Sequence, residues 1–239
     1  MASAVSVKDN LISVENRIRA ACSRSGRNRE DVLLVSVTKT KPVPMLREAY
    51  DCGQRNFGEN KVQEITRKCP LLPDDIRWHM IGHLQKNKVK YLMDGRIAMI
   101  HSVDSADLAL EISKRAVQAG IVMPVLIEVN AAGEASKFGV TPDACEDLVR
   151  TIAPLEGIRV RGLMTSAPYT ENAETNRPYF RLLRELAVDI QSKSIDNVNI
   201  NALSMGMSGD FEVAIEEGAT IVRIGTSIFG ERDYSAINA

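Results

Sequence analysis

Leu33-Leu34-Val35-Ser36-Val37-Thr38-Lys39-Thr40-Lys41-Pro42 is the stretch whose reading decides the fold. Residues 33–37 are apolar apart from one serine, so the segment reads as a strand buried on both faces, as in a parallel sheet. Lys39 stands where that strand should end, and Pro42 stops backbone pairing soon after. An ammonium at the mouth of an apolar strand must reach water, meet an anion, or lose its charge through a lowered pKa. In the last state it becomes a nucleophile toward carbonyl carbon. Most lysines leaving a strand are simply solvated. The weight of Lys39 therefore depends on what the rest of the chain brings beside it.

Outward from this strand a rhythm of strands and helices extends over the 239 residues. Before it, Ser6 and Asp9 suggest a helix cap, and Leu11, Val14, Ile18 and Ala21 share one face of a helix ending near Gly26. After it, strands are expected over 55–57, 77–81, 97–103, 123–129, 160–164, 202–205 and 221–224. The segments between them carry helical patterning, over 45–52, 61–68, 105–118 and 177–193 among others, with Gly53 and Gly120 as stops and Pro142 as a start. The basic stretch 86–90 opens a short helix after the third strand. Alternating strands and helices imply parallel pairing with right-handed crossovers, and eight such units in about 250 residues suit a closed (β/α)8 TIM barrel. An open doubly wound sheet would usually place a glycine-rich turn after the first strand, and residues 38–42 contain no glycine. The expected architecture is one α/β domain over 1–239, a single TIM barrel with an extra N-terminal helix.

Composition narrows the function classes. Lys+Arg 30 against Asp+Glu 31 leaves a formal net charge of -1, so no global field draws in nucleic acid or an anionic membrane. Hydrophobic residues at 44% fill a core, and no run approaches the roughly 18 apolar residues of a membrane span. Residues 1–9 show no secretory pattern. Cys22, Cys52, Cys69 and Cys145 are widely spaced, which suits reduced thiols in the cytoplasm and not a disulfide framework or zinc site.

In a barrel the strand ends gather at one rim, where chemistry sits. Read in turn they are Lys39, Asn60, Gly82, Asn130, Ser166, Ser204 and Arg223. This is not a metal or nuclease set: His79 and His83 straddle a strand end without an evident carboxylate or cysteine partner, and His101 sits in an apolar strand as a core residue. Ser204-Met205-Gly206-Met207-Ser208 and Arg223-Ile224-Gly225-Thr226 place small residues with free N–H groups after the last two strands, where TIM barrels often hold phosphate. Phosphate at one side and an amine at the other suit a ligand with an anion at one end and a carbonyl at the other. Pyridoxal 5′-phosphate (PLP) has that form, and Arg223 is placed to face its ring nitrogen. A guanidinium only donates, so a nitrogen opposite it must accept and stay unprotonated.

The chain resembles the pyridoxal phosphate homeostasis protein family, itself similar to the barrel domain of alanine racemase. The resemblance spans nearly the whole chain. It rests on V-T-K-T-K-P at 37–42, F-G-E-N at 57–60, W-H-M-I-G-H-L-Q at 78–85, R-G-L-M at 161–164, L-S-M-G-M-S at 203–208 and R-I-G-T-S-I-F-G at 223–230. It implies a PLP Schiff base on Lys39, with Lys41 only a neighbour. It also implies phosphate contacts at Ser204, Gly225 and Thr226, the ring-nitrogen role for Arg223, and a place beside the cofactor for Asn60. The implied role is carriage or regulation of PLP in vitamin B6 homeostasis without a catalytic residue, by a monomer whose partners are PLP and PLP-dependent apoenzymes or free amino acids.

Two departures from alanine racemase weaken an enzymatic reading. The racemases carry a tyrosine four residues after the lysine, where this chain has Val43, and draw a second tyrosine base from a β domain following the barrel. This chain ends at Ala239, just after the eighth strand, so no such domain is expected. A PLP-dependent racemase completed by a partner subunit is the alternative. A Schiff-base aldolase is a third reading, for which Glu59 is the evident acid–base candidate.

Overall fold

The computed structural model describes residues 6–231; residues 1–5 and 232–239 lie outside it, and with them most of the N-terminal reading of 1–9 and the expectation at Ala239. Eight parallel strands close in chain order. They are β1 (Leu33–Val37), β2 (Asn56–Glu59), β3 (Arg77–Met80), β4 (Ile97–Val103), β5 (Met123–Glu128), β6 (Ile158–Met164), β7 (Val198–Ser204) and β8 (Ile221–Ile224). The seam is a register of Leu33 with Ile221 through Ser36 with Ile224, joining the first strand to the last. The expected (β/α)8 barrel is therefore the observed one.

Boundaries differ where the apolar signal thins. β7 starts at Val198, before the expected 202, and β6 at Ile158, before 160. Residues 198–201 run Val-Asn-Ile-Asn, with both asparagines exposed, so this half of β7 alternates and lacks the continuous apolar run of a buried strand. After β3 the basic stretch opens a short helix as expected, a 3-10 one over Lys86–Leu92.

The helices are α1 (Val7–Arg24), α2 (Val43–Asp51), α3 (Val62–Lys68), α4 (Ala106–Gln118), α5 (Pro142–Ile152), α6 (Arg177–Ser192), α7 (Phe211–Glu216) and α8 (Thr226–Phe229). Ser6 caps α1: its Oγ accepts from Asp9 N at 3.1 Å and donates to Asp9 Oδ2 at 2.8 Å. The apolar face of α1 (Val7, Leu11, Val14, Ile18, Ala21) is buried against α2, α7 and α8, so the extra helix covers the seam from outside and does not plug the barrel. Arg17–Glu212 at 2.7 Å and Arg24–Glu216 at 2.8 Å flank that contact.

Inside the barrel, side chains stack in layers because alternate strand residues face the same way. Val35, Leu126, Met164, Ala202 and Ile221 pack one apolar layer, with Met99 against it. Two residues further along the same strands the interior turns polar, at His101, Glu128, Ser204 and Arg223, all buried. The apolar layer is a floor, and the polar layer is the base of whatever binds at the rim.

Gly162 lets β6 and β7 meet. A Cβ there would lie 1.8 Å from the Ala202 carbonyl oxygen, a backbone atom that cannot swing aside. Gly162→Ala should cost roughly 3 kcal/mol, the upper range for overpacking. Urea unfolding should show a lowered midpoint with an unchanged slope; an unchanged midpoint would show that β6 and β7 can separate freely.

Candidate functional site

Closure at the β1–β8 seam opens a cavity of about 530 Å³ at the C-terminal rim. Lys39, Asn60, Arg223, Gly225 and Thr226 all line it, as does Ser166 after β6. Three other strand-end residues do not. Gly82 supports Asn60 from below, where a Cβ would fall 2.5 Å from the Asn60 carbonyl oxygen. Asn130 stays in its own loop, with N–H to Val140 O at 2.8 Å and Nδ2 to Glu134 O at 2.8 Å. Ser204 is fully buried beneath Arg223.

Arg223 forms the base of the cavity and is only 4% exposed. Its Nη1 donates to Ser204 Oγ at 2.7 Å, and its Nη2 to Thr165 O at 2.8 Å and Ser166 Oγ at 3.3 Å. A guanidinium has five N–H groups, so two lie beyond these three bonds. Burial lowers its pKa to about 10, against the pull of Glu128 and Asp210 upward, so it remains a cation at neutral pH. Burial raises Glu128 to about 7 although Arg223 draws it down. Below Ser204, the imidazoles of His101 and His79 are buried and hydrogen-bonded to one another at 2.9 Å. Burial holds His79 down at about 4 and His101 well below its ordinary value, so both are neutral core residues. His83 departs from the sequence reading: it has a carboxylate partner, Asp104, at 3.5 Å, and its ring stacks on Phe138 at 3.9 Å.

The last two loops make an anion-suited corner. The backbone N–H groups of Gly225 and Ser227 converge on one oxygen, Ser208 Oγ, at 3.3 and 3.2 Å. A Cβ on Gly225 would press on the Val37 carbonyl oxygen at 3.1 Å, so glycine lets the end of β8 close on β1. Of the two serines of S-M-G-M-S, the last, Ser208, is on the cavity wall, whereas the first, Ser204, lies under the arginine. The turn at Gly206 separates them: Ser204 ends β7, and Ser208 follows that turn.

Lys39 rides on a strained turn. Thr40 has a φ of 65°, a conformation that costs a β-branched residue on the order of 1–3 kcal/mol unless its surroundings impose it. They do: Thr40 N donates to Glu64 Oε2 at 2.8 Å. That carboxylate also takes a bond from Lys68 Nζ at 2.8 Å, and the same ammonium donates to Thr38 O at 2.8 Å and Glu59 Oε1 at 2.6 Å. Thr38 Oγ1 closes the cluster on Glu59 Oε1 at 2.7 Å. Lys68 is 1% exposed, so its three acceptors replace its water. Burial pushes the Glu59 carboxyl up, offset in part by Lys68. For Glu64, burial is outweighed by the bonds from Lys68 and Thr40, which hold it below its ordinary value.

The cluster lies behind the cavity wall. Glu59 turns toward α3 while its neighbour Asn60 turns into the cavity, which removes Glu59 as an acid–base group for an aldolase. Among the described residues, Asn60 Oδ1 and Thr40 Oγ1 find no hydrogen-bond partner, and both atoms are buried. Lys41 does not turn away as its place before Pro42 suggests: it also lines the cavity, with Nζ 2.5 Å from Glu231 O. Sequence reasoning missed Lys68 and Ser208. Lys68 carried a signal, since it continues the buried stripe of Val62 and Ile65 on α3 with Glu64 one turn before it.

Such a barrel, with a lysine after its first strand and an anion corner after its last two, defines a class. The chain belongs to the family described as "Alanine racemase, N-terminal domain", whose model matches residues 10–233. Within it, the chain belongs with the pyridoxal phosphate homeostasis proteins. It is 52% identical to the one from Aquifex aeolicus over 227 residues, 95% of this chain and 98% of that protein. Among solved structures it is similar to PipY of Synechococcus elongatus PCC7942. The form without PLP gives a TM-score of 0.83 and the PLP-bound form 0.80, both at 33% identity over 94% of this chain and 100% of PipY.

Lys68→Met should strand a buried carboxylate and cost about 3–5 kcal/mol, as breaking a buried pair generally does. Glu59→Gln added to Lys68→Met should recover part of it, because the more deeply buried of the two stranded carboxylates is then neutral. Urea denaturation of the two proteins checks this, and equal stability of Lys68→Met and the parent would mean that the cluster is not holding the turn.

Proposed function

We propose that this chain is a non-catalytic PLP-binding protein of intracellular PLP (vitamin B6) homeostasis, holding PLP as a Schiff base on Lys39. The observation that carries the reading is one cavity combining a strand-end lysine, a donor-only arginine at its base and two N–H groups aimed at one point. These residues fit PLP. Lys39 Nζ would take the aldehyde, Arg223 the ring nitrogen, and the corner of Gly225, Thr226 and Ser208 the phosphate. Asn60 Oδ1, buried and without a partner among the described residues, would gain a donor. PLP supplies an aldehyde that condenses with amines and a ring that draws electrons from the adduct. The protein's share is to bind and orient it. Support also comes from relatives that are named for PLP homeostasis and from one whose structure holds PLP. The whole chain is read as one PLP-binding unit, monomeric and cytoplasmic, handing PLP to apoenzymes or exchanging it with free amino acids.

The racemase reading needs a proton-transfer group on each face of the cofactor. Lys39 is one. Among the described residues, the tyrosine on the cavity wall is Tyr169, which is 94% exposed, so its phenol stands in water at the mouth and is not held against a reacting atom. Kinship with alanine racemase makes the reading worth testing.

Borohydride reduction followed by peptide mass mapping should place the pyridoxyl group on Lys39. Because Lys41 shares the cavity, label on Lys41 would overturn the anchor assignment. Ser208→Ala with Thr226→Val removes hydroxyls from the phosphate corner, and charge-assisted bonds are worth roughly 1.5–3 kcal/mol each. PLP should leave this variant at least about tenfold faster, with pyridoxal little affected; equal weakening of both ligands would show that these residues only shape the loops. In deuterated water, L-alanine should bind without exchanging its α-proton at an enzymatic rate. Rapid exchange abolished by Lys39→Ala would make the protein an enzyme, and its loss in Tyr169→Phe would name the second base.

A further inference from the structure

The polar layer inside the barrel contains a continuous run of hydrogen bonds. It passes from Arg223 Nη1 to Ser204 Oγ (2.7 Å), from Ser204 Oγ to His101 Nδ1 (2.9 Å), from His101 Nε2 to His79 Nδ1 (2.9 Å), and from His79 Nε2 to Asn56 Oδ1 (3.1 Å). The five residues come from β8, β7, β4, β3 and β2, so the run crosses the barrel interior. His79, His101, Ser204 and Arg223 are all buried, and Asn56 is half-buried at the start of β2.

The two ends fix every donor and acceptor between them. Arg223 can only donate, so Ser204 Oγ accepts there. At the far end the amide oxygen of Asn56 can only accept, so His79 Nε2 carries a proton. A neutral imidazole has one N–H, which leaves His79 Nδ1 as an acceptor and gives the proton between the rings to His101 Nε2. His101 Nδ1 must then accept, and the Ser204 hydroxyl supplies its hydrogen. Each member thus donates away from Arg223, and Ser204 turns its lone pairs toward the guanidinium. An amide oxygen cannot pass a proton on, so the run is no route for protons to the cavity. It is a fixed line of dipoles ending on the residue at the cavity's base.

We propose that Asn56, His79, His101 and Ser204 are positioning residues for Arg223: the line holds one arm of the guanidinium by way of Ser204, while Thr165 and Ser166 hold the other. Resting on the reading that PLP occupies the cavity with its ring nitrogen against Arg223, the line governs how firmly that ring is held. Its other members reach Arg223 only through Ser204, so removing any one should loosen the same contact. Their effects should not add, unlike those of independent packing sites.

The first measurement needs no ligand. Nitrogen-15 NMR of histidine-labelled protein at neutral pH should show both buried imidazoles neutral, with the proton on Nε2 and Nδ1 bare. Asn56→Leu should erase the Nε2 preference at His79. The second measurement is release of PLP from loaded protein. Ser204→Ala and His101→Leu should each speed release about fivefold, the worth of one hydrogen bond, and shift the visible band of the bound cofactor. The double variant should match Ser204→Ala alone. Arg223→Met should make His101→Leu silent. Ser204→Ala removes one atom, so it serves if His101→Leu fails to fold. An Nδ1–H tautomer at either ring, or multiplied effects in the double variant, would overturn the proposal. If the parent protein takes up no PLP, the cofactor reading fails, and the tautomers alone decide whether the line exists.

Discussion

Closure of the sheet between its first and last strands is the constraint on which the site depends. Val35 pairs with Arg223 in that register, so residues near opposite ends of the sequence become neighbours. Lys39 leaves β1 and Gly225 leaves β8 at the same rim, where both line one cavity and Gly225 lies against Val37. Loop closure over such a span is costly and gains nothing until the last strand docks. The apolar layer of Val35, Leu126, Met164, Ala202 and Ile221 provides the return, because it joins the first strand to the last four.

Each face of this sheet carries a buried cation. Lys68 lies outside the barrel, at the end of α3, and Arg223 lies within it. Both are surrounded by acceptors drawn from several elements, as a buried charge requires. The outer cluster imposes the turn that presents Lys39, and the inner one sets the base of the cavity. Strand alternation makes the division possible: Glu59 and Asn60 are adjacent in sequence and serve opposite faces. One short strand thus contributes to both supports.

These supports differ in kind. Outside, formal charges at hydrogen-bond distance fix a backbone conformation that Thr40 would not adopt alone. Inside, neutral imidazoles and a hydroxyl orient a charge already held by burial among hydrogen-bonding partners. The neutrality of the histidines follows from burial, and it lets them sit so near the guanidinium without repulsion. Glu128 and Asp210 supply the balancing negative character around Arg223.

The repeating alternation of apolar strands with amphipathic helices determined the barrel by itself, because parallel pairing and right-handed crossovers leave few other arrangements. It also placed Lys39, Asn60, Arg223, Gly225 and Thr226 at a common rim, since each directly follows or ends a strand. The start of β7 was illegible because its alternating Val-Asn-Ile-Asn lacks an apolar run. Which serine of S-M-G-M-S meets the cavity was decided only by tertiary structure, since the turn at Gly206 redirects the chain between them. The same holds for Lys68, His79 and His101. Their partners lie on other strands and helices, and a side chain's hydrogen bonds across a barrel depend on a closed register that no local pattern records.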